Sequence, residues 1–309
     1  MNQRAASPPR AVRTLDAAQL WNWPLPRPAA HDDKEARGRV LIVAGSPEMP
    51  GGAVLAATAA LRAGAGKVTV ATPASIATAV AVAVPEARVI AMPETAAGGI
   101  VADAVHLLEA LAPRVNAVLV GPGMQDEASA CAFTRALLPL FAERPVVLDA
   151  CAMQMMRGSQ AYQEDAENVR DTHLVLTPHA GEMARLLHAE KQAVQADPCR
   201  AAQDAARNWN AVVALKGSRT VVARPHGDTW QHEDGNAGLA TSGSGDVLAG
   251  IIAGLAARGA GITQSVAWGV VLHAQAGHRL ARRIGSLGYL ARELAGEIPG
   301  LMDRLASTE

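Results

Sequence analysis

Short apolar runs alternate with helix-length stretches through the first two thirds of the chain. Six runs rich in Val, Leu, Ile and Ala predict buried strands, and most are separated by segments long enough for a helix. These runs are residues 39–44, 67–72, 87–92, 116–121, 145–150 and 173–178. Because such alternation is typical of strands joined by crossover helices, we predict an α/β fold with a mostly parallel sheet and helices on both faces.

The last third of the chain follows a different pattern. AVVALK (211–216) and TVVAR (220–224) are separated by only three residues, so they predict a β-hairpin. After Gly243 the apolar spacing becomes helical and stays helical to the end of the chain. The first of these helices is predicted to begin between Ser244 and Asp246.

Composition divides the chain once, near residue 38. Residues 1–37 are rich in Pro, Ala and Arg, and they predict an N-terminal extension that is partly disordered and contains one candidate short helix, TLDAAQLWNW (14–23). From there onward no short repeat or low-complexity linker splits the chain. We therefore expect a single domain over residues 38–309.

Overall composition narrows the class of protein. Half of the 309 residues are hydrophobic but only 3% are aromatic, so the core must be built from tightly packed aliphatic residues. The 28 basic residues nearly balance the 29 acidic ones and form no dense cluster, which argues against a nucleic acid partner. The apolar runs fall short of the roughly 20 residues that span a bilayer. We expect a soluble protein without a membrane partner.

The spacing of the cysteines and histidines argues against a disulfide framework and against zinc sites. The three cysteines, at 131, 151 and 199, show no C-x-x-C spacing, so a disulfide framework and a structural zinc site are both disfavoured. This usage predicts a reducing compartment, the cytoplasm. His273 and His278 lack the H-E-x-x-H spacing of zinc hydrolases. We predict no metal held by the protein's own side chains.

The stretch NAGLATSGSGDVLAG (236–250) joins a glycine-rich loop to an apolar helix. A helix start presents free backbone N–H groups to anions, and Gly243 and Gly245 would let a phosphate approach closely. Asp246 would repel that phosphate unless it faces a proton to be removed or a bridging cation. Helix capping by Ser or Asp is the structural alternative. The four glycines at 235, 238, 243 and 245 favour a backbone that meets a ligand.

Four other segments follow predicted strands, where open α/β sheets bind their ligands. They are GSPEMPGGA (45–53), VGPGM (120–124), LTPHAGE (176–182) and LKGSRT (215–220). The first lacks the G-x-G-x-x-G pattern of dinucleotide-binding loops. Thr177 is predicted to cap a helix with Pro178 at its first position, which leaves His179 as either a ligand contact or a solvated side chain. Lys216 and Arg219 suit either a polyphosphate or a solvated hairpin tip.

Taken in order, these segments resemble the ribokinase-like family of ADP-dependent NAD(P)H-hydrate dehydratases. The resemblance extends over nearly all of the chain from Gly38. It is carried by GRVLIVAGS, GGAVLAATAALRAGAGKVTVATP, VGPGM, LTPHAGEMARLL, VALKGSRT and GNAGLATSGSGDVLAGIIAGL. It implies a three-layer α/β/α fold and a substrate, the S epimer of hydrated NADH or NADPH. In this family a nucleotide phosphorylates the ring hydroxyl, and departure of the phosphate restores the double bond.

The resemblance also implies roles for individual residues. Asp246 matches the catalytic aspartate that accepts the hydroxyl proton, Gly243 belongs to the anion hole, and Gly245 contacts the nucleotide. The nucleotide-binding hairpin corresponds to Lys216, Gly217, Ser218, Arg219 and Thr220. Contacts with the hydrated dinucleotide correspond to Ala53, Gly123 and His179, together with Asp246. The family further implies ADP or ATP as co-substrate, Mg²⁺, and a homo-oligomer such as a tetramer.

The sequence departs from the family pattern at several positions. Glu35 follows Lys34 where glycine is usual, and Ser242 and Ser244 stand where Gly and Thr are common. No N-terminal epimerase domain is present in these 309 residues, so a separate epimerase is expected in the same pathway.

Two other functions stay open on this evidence. One is a kinase of the same broad fold that acts on a hydroxymethylpyrimidine- or hydroxyethylthiazole-like alcohol. The other is a nucleotide-binding sensor without turnover. A kinase would leave a stable phosphorylated alcohol, whereas a sensor would bind nucleotide and release no phosphate.

Overall fold

The computed structural model describes residues 12–27, 35, 37–157 and 173–306. Ten strands in these residues form a single sheet, in the order β1-β10-β9-β8-β7-β6-β5-β2-β3-β4. The strands are β1 Arg13–Thr14, β2 Arg39–Val43, β3 Lys67–Pro73, β4 Arg88–Met92, β5 Ala117–Val120, β6 Val146–Leu148, β7 Leu174–Leu176, β8 Val212–Leu215, β9 Thr220–Ala223 and β10 Thr229–His232.

The seven strands from β8 to β4 in the sheet run parallel to one another. β9 pairs with β8 in the antiparallel direction, which confirms the predicted hairpin, and β10 continues the antiparallel pairing. All eight predicted strands are present. β1 and β10 were not predicted, since TWQH and a two-residue strand carry no apolar run.

Helices cover both faces of the sheet. They are α1 Ala17–Trp21, α2 Pro50–Arg62, α3 Ala74–Ala83, α4 Glu127–Leu137, α5 Ala180–Leu187, α6 Lys191–Ala196, α7 Pro198–Trp209, α8 Ser244–Ala257, α9 Ile262–Arg283 and α10 Ala291–Ala306. Segments of 3-10 helix span Ala102–Arg114, Leu138–Phe141, Ala150–Met156 and Ala237–Leu239. The helical pattern predicted after Gly243 is confirmed, with the first helix beginning at Ser244.

Alternating side chains of the strands divide the core into two layers. Val40 and Ile42 of β2 join the cluster that contains α2, α8, α9 and α10, whereas Leu41 and Val43 join the cluster beneath α4, α5 and α7. Successive strand residues point to opposite faces, so a sheet buried on both sides needs continuous apolar runs. The three-layer α/β/α arrangement predicted from the sequence is confirmed.

Small residues let α8 pack directly against α2. A Cβ on Gly250 would lie 2.3 Å from the carbonyl oxygen of Ala56, and one on Gly254 would lie 2.6 Å from that of Ala60. Larger side chains would separate the two helices and disturb a well-packed core. The close contact fixes the position of α8, and with it the loop that enters this helix.

The described part of the N-terminal extension packs against the domain. Leu15 donates its backbone N–H to Gln231 on β10, and its side chain is buried. Trp23 accepts a hydrogen bond at its carbonyl oxygen from Nε1 of Trp268 at 2.8 Å. The candidate short helix appears as α1, whereas the tail predicted to be disordered begins in residues 1–11, outside the described residues. Within the described residues, no helix has the length and apolar character needed to cross a bilayer.

Candidate active site

The carboxyl ends of the parallel strands lie side by side along one edge of the sheet. In sheet order, β8, β7, β6, β5 and β2 lead directly into Lys216, Thr177, Asp149, Gly121 and Ala44. Ligands of open α/β sheets bind at this edge. The residues predicted to contact ligands therefore come from neighbouring loops.

The loop into α8 ends in a helix start without a side-chain cap. Gly243 is the N-cap residue, with φ of +85°, and no side chain accepts a hydrogen bond from the first turn. The capping interpretation of this sequence is therefore wrong, because Ser244 and Asp246 lie inside the helix. The left-handed backbone of Gly243 suits glycine. The first N–H groups of α8 remain available to an anion.

Most glycines of this loop contact the protein itself. A Cβ on Gly235 would lie 2.7 Å from the carbonyl oxygen of Ser218, and one on Gly238 would lie 2.3 Å from the ring of Tyr289. A Cβ on Gly243 would clash with Leu55 at 2.5 Å. Their number is therefore explained largely by close packing, which corrects the argument that it indicates a ligand. For Gly245 the neighbour is the ammonium group of Lys216, at 3.1 Å from its ideal Cβ position.

A buried ion pair lies next to the start of α8. Nζ of Lys216 donates to Oδ1 of Asp149 at 3.1 Å and lies 4.0 Å from Oε2 of Glu182. Asp149 also accepts a 2.6 Å hydrogen bond from the hydroxyl of Thr177. Burial acts to lower the pKa of Lys216, but the nearby carboxylates of Asp149 and Glu182 outweigh it and raise the pKa. Lys216 therefore stays charged.

Asp246 faces this cluster from the first turn of α8. Burial, together with repulsion from Asp149 and Glu182, raises the pKa of Asp246 to about 7, although the ammonium group of Lys216 acts to lower it. A carboxyl group with this pKa exchanges a proton near neutral pH, as a general acid or base must. The geometry thus places a proton acceptor beside a helix start that suits phosphate.

His273, on α9, contacts Ser244 at the start of α8. Its Nε2 lies 2.9 Å from the hydroxyl of Ser244 and 3.0 Å from the carbonyl oxygen of the same residue. Burial lowers the pKa of His273 to about 4, so the ring is neutral at pH 7. A neutral ring adds no charge to the anion-binding end of the helix while it holds Ser244 in place.

The LTPHAGE segment differs from its prediction. The N-cap of α5 is His179, whose Nδ1 accepts hydrogen bonds from the backbone N–H groups of Gly181 and Glu182, so the assignment of Thr177 as the cap is wrong. Thr177 instead follows β7 directly, and its hydroxyl donates a hydrogen bond to Asp149. The His179 side chain stays 57% exposed, and its Nε2 lies 3.6 Å from Oε2 of Glu182.

The hairpin residues predicted to bind the nucleotide differ in their exposure. The side chain of Lys216 turns inward to Asp149, whereas Gly217, Ser218 and Arg219 are exposed at the tip. Thr220 begins β9, and its hydroxyl donates to the carbonyl oxygen of Gly217 at 3.4 Å. An isolated parallel β-bridge between His179 and Lys216 joins the hairpin to the loop after β7.

The two predicted substrate contacts on the other side of the site are backbone positions. Ala53 is buried in the first turn of α2, whose N-cap has no side-chain hydrogen bond. Gly123 has φ of +68°, and a Cβ added to it would lie 2.5 Å from the carbonyl oxygen of Met49. The turn after β5 and the start of α2 are therefore in contact, and both present backbone to the sheet edge.

Sequence analysis missed two residues of the charged cluster. Asp149 stood at the end of the PVVLDA run, where a polar side chain directly after a buried strand was the available clue. Glu182 was taken as part of LTPHAGE without a role, although its Oε2 accepts from the N–H of His179 at 2.8 Å and completes a capping box. Only the tertiary fold brings both near Lys216.

Glu35 lies away from this site. Its carboxylate forms ion pairs with Arg39 and Lys67, the first residues of β2 and β3, at the opposite edge of the sheet. Lys34 lies outside the described residues. Within the residues that the structure describes, no three His, Cys, Asp or Glu side chains are grouped so that they could hold a metal ion.

Comparison with known proteins shows the family of this chain. The model of a family described as NAD(P)H-hydrate dehydratase matches residues 40–300. The chain is also 45% identical to an ADP-dependent (S)-NAD(P)H-hydrate dehydratase from Xanthomonas campestris, over 95% of this chain and 97% of that protein. The chain belongs to the NAD(P)H-hydrate dehydratase family. The resemblance stated from the motifs is thereby confirmed.

Other members of the NAD(P)H-hydrate dehydratase family differ in length. A bifunctional NAD(P)H-hydrate repair enzyme from Moorella thermoacetica is 42% identical over 91% of this chain, but the match covers 52% of that enzyme. A crystal structure of the ADP/ATP-dependent NAD(P)H-hydrate dehydratase of Bacillus subtilis, co-crystallised with ATP and Mg²⁺, superposes with a TM-score of 0.80 at 28% identity. The superposition covers 96% of this chain and 99% of the Bacillus subtilis chain. The predicted ribokinase-like fold is thereby confirmed.

Proposed function

We propose that this protein restores NADH and NADPH from their hydrated S epimers in an ADP-dependent dehydration, with release of AMP and phosphate. The observation that carries the proposal is Asp246, a carboxyl group with a pKa of about 7 in the first turn of a helix without a side-chain cap. The family and the relatives of matching length, which bear the name of this activity, support it.

The residues divide the work between proton transfer and charge stabilisation. Asp246 accepts the proton of the ring hydroxyl as its oxygen attacks the terminal phosphoryl group of ADP, and AMP leaves. Gly243 and Gly245 expose the N–H groups of the helix start to the transferred phosphoryl group. Loss of phosphate and of a ring proton then restores the double bond. Positioning and electrostatics supply most of the rate enhancement in such transfers.

Lys216 supplies positive charge to the nucleotide phosphates in this scheme. The ammonium group lies between Asp149, Glu182 and Gly245, where it offsets the charge of an incoming phosphate. Gly217, Ser218, Arg219 and Thr220 bind the rest of the nucleotide from the hairpin. On the other side, Ala53, Gly123 and His179 contact the hydrated dinucleotide.

Mg²⁺ enters the reaction with the nucleotide. Since no group of three ligating side chains occurs among the described residues, the ion would be held mainly by the phosphates, which is usual for Mg²⁺ with nucleotides. Its chemistry there is to neutralise phosphate charge. The Bacillus subtilis relative was co-crystallised with ATP and Mg²⁺, which supports both nucleotides as candidates.

The kinase and sensor alternatives have less support. A likeness of 18% identity and a TM-score of 0.56 to a hydroxyethylthiazole kinase from Pyrococcus horikoshii reflects the fold alone. A sensor would have no need of a proton acceptor beside the anion-binding helix start. The dehydratase also accounts for the family match, which neither alternative does.

The cellular setting follows from the same proposal. The match covers 52% of the bifunctional repair enzyme from Moorella thermoacetica, and we propose that a separate epimerase converts the R epimer. We further propose that the protein is a homo-oligomer, such as a tetramer, in the cytoplasm. Light scattering during size-exclusion chromatography measures the mass of the oligomer directly.

The deciding experiment uses chemically prepared NADH hydrate, Mg²⁺ and either ADP or ATP. Recovery of the near-ultraviolet absorbance of reduced nicotinamide, in step with phosphate release, is the expected result. If folded protein that still binds ADP restores no absorbance with either nucleotide, the dehydratase is rejected. A stable phosphorylated alcohol in a substrate screen would then identify a kinase, and its absence a sensor.

A further inference from the structure

A cleft of about 500 Å³ opens over the carboxyl ends of β2, β3 and β4, beyond the residues assigned to the reaction. Its polar side chains are Ser46, Glu48, Ser75, Glu94, Thr95 and Gln125. Of the described residues that line it, none is Lys, Arg or His. The cleft is therefore acidic and rich in hydroxyl groups.

The walls of this cleft are held in place before any ligand arrives. Thr95 donates its backbone N–H to the carbonyl oxygen of Gly99 at 2.7 Å and its hydroxyl to Asp126 at 3.2 Å. Gly98 packs so closely on Pro47 that a Cβ would lie 2.5 Å from its ring. A preformed cleft loses little conformational entropy on binding.

The two carboxylates of the cleft have different surroundings. Glu94 accepts hydrogen bonds from the N–H of Ser75 at 3.2 Å and from its hydroxyl at 2.8 Å, so it stabilises the start of α3. Glu48 is exposed, and no described residue forms a hydrogen bond or ion pair with it. Glu48 is thus the carboxylate that is available to a ligand.

The cleft lies on the same sheet edge as Asp246. Asp149, next to Asp246, follows β6, while Ser75 follows β3, three positions further along the sheet. At about 4.8 Å between strands, the two ends are about 14 Å apart. The turn that holds Gly123 and the loop that leads into α2, where Ala53 lies, are between them, and Gln125 and Glu48 belong to these two segments. An extended dinucleotide whose reacting ring lies at Asp246 reaches the cleft.

We propose that this cleft binds the adenosine ribose of the substrate, and that Glu48 selects hydrated NADH, with its free 2′-hydroxyl, over hydrated NADPH. The proposal rests on the proposed function. A carboxylate accepts a hydrogen bond from a ribose hydroxyl, as in dinucleotide-binding folds, whereas a 2′-phosphate requires a cation such as Arg. Because none of the described residues that line the cleft is a cation, the charge of a 2′-phosphate would be repelled by the carboxylates there without a compensating ion pair.

The test compares kcat/KM on the two hydrates for the wild type, Glu48→Lys and the control Glu143→Lys. Glu143 is equally exposed but precedes β6, at the opposite edge of the sheet. We expect the wild type to prefer NADH hydrate by at least about tenfold, Glu48→Lys to reduce this preference by a similar factor, and Glu143→Lys to leave it unchanged. A wild-type ratio near one, or equal ratios in the two variants, overturns the proposal.

Failure of the proposed function gives a different result, namely no turnover of either hydrate. In that case NADH and NADPH themselves are titrated into protein saturated with ADP, and nicotinamide fluorescence reports binding. Tighter binding of NADH that is lost in Glu48→Lys upholds the cleft assignment. Equal dissociation constants for the two dinucleotides, or no binding, overturn it.

Discussion

The carboxyl group of Asp246 is subject to opposing influences from its neighbours. Burial and the carboxylates of Asp149 and Glu182 favour the protonated form, while Lys216 favours the ionised form. The balance leaves the pKa at about 7, so about half of the groups are ionised and able to accept a proton at neutral pH. An exposed aspartate would be ionised but a weaker base.

Replacing Asp246 by Asn tests its role directly. The amide keeps the shape of the side chain but accepts no proton, so we expect kcat for hydrate restoration to fall by about 10²–10⁴-fold. ADP affinity should change little, since the helix start is retained. Absorbance recovery and nucleotide titration measure the two quantities. Asp204→Asn on the half-buried outer face of α7 is the control, because Asp204 pairs only with Arg200 and Arg207 of its own helix in the described residues. Near-normal turnover by the Asp246 variant would exclude the base.

The pH dependence of kcat/KM tests the surroundings of this group. Asp246 must be deprotonated to accept a proton, so the rate should rise as pH increases through about 7 and level off above it. Asp149→Asn removes a repelling carboxylate and frees Lys216 to act on Asp246, so the rise should move to lower pH. A pH–rate profile of each enzyme decides the matter, and a rise that moves to higher pH contradicts the proposed network.

At the scale of elements, α8 joins the stable core to the reactive loop. Its small residues allow close contact with α2, and His273 of α9 holds Ser244 at its first turn. The helix start can therefore keep its free N–H groups aimed at the sheet edge without a side-chain cap. Packing supplies the rigidity that capping would otherwise supply.

Gly243→Ala tests whether this entry turn is specific to the site. Alanine at φ of +85° costs about 1–2 kcal/mol, and its Cβ would also meet Leu55 at 2.5 Å. Gly259→Ala is a matched control, because Gly259 has φ of +91° with nothing near its Cβ. Thermal unfolding should show a larger loss of stability for Gly243→Ala, and only this variant should lose activity. Equal activity losses would contradict the assignment.

At the scale of the whole molecule, the N-terminal segment completes the domain. β1 adds to the outer edge of the sheet, and the side chains of Leu15 and Leu20 are buried. Gln264 and Trp268 on α9 donate hydrogen bonds to backbone carbonyl oxygens of this segment. The division of the chain at residue 38 thus remains an interpretation of composition, with contacts that cross it.

Deleting residues 1–27 should destabilise the protein by at least about 4 kcal/mol. Two buried leucines contribute about 1.5–3 kcal/mol each, and an unsatisfied Trp268 N–H adds about 1–3 kcal/mol. Denaturant unfolding of the truncated and full-length proteins measures the difference. Deletion of residues 1–11 alone is the control, so that the difference between the two truncations gives the contribution of residues 12–27. Equal stability of both truncations would show that the segment does not anchor the domain.

The sequence by itself determined the strand order along the chain, the hairpin, the beginning of α8 and the candidate Asp246. Continuous apolar runs and helical spacing are local patterns, so they can be recognised without knowing what packs against them. The motif set carried the family for the same reason, since each motif is contiguous. Short polar strands such as β1 and β10 have no such pattern, and they exist because neighbouring strands offer hydrogen bonds.

Only the tertiary structure decided which charges meet and why the glycines are required. Asp149 and Lys216 are 67 residues apart in the chain, and their ion pair depends on the positions of β6 and β8 in the sheet. The pKa of Asp246 arises from that meeting together with burial. Close packing against Leu55, Ser218 and Tyr289 explains glycines that the sequence alone attributed to a ligand. Burial and electrostatics are properties of the assembled fold, because they depend on residues distant in sequence.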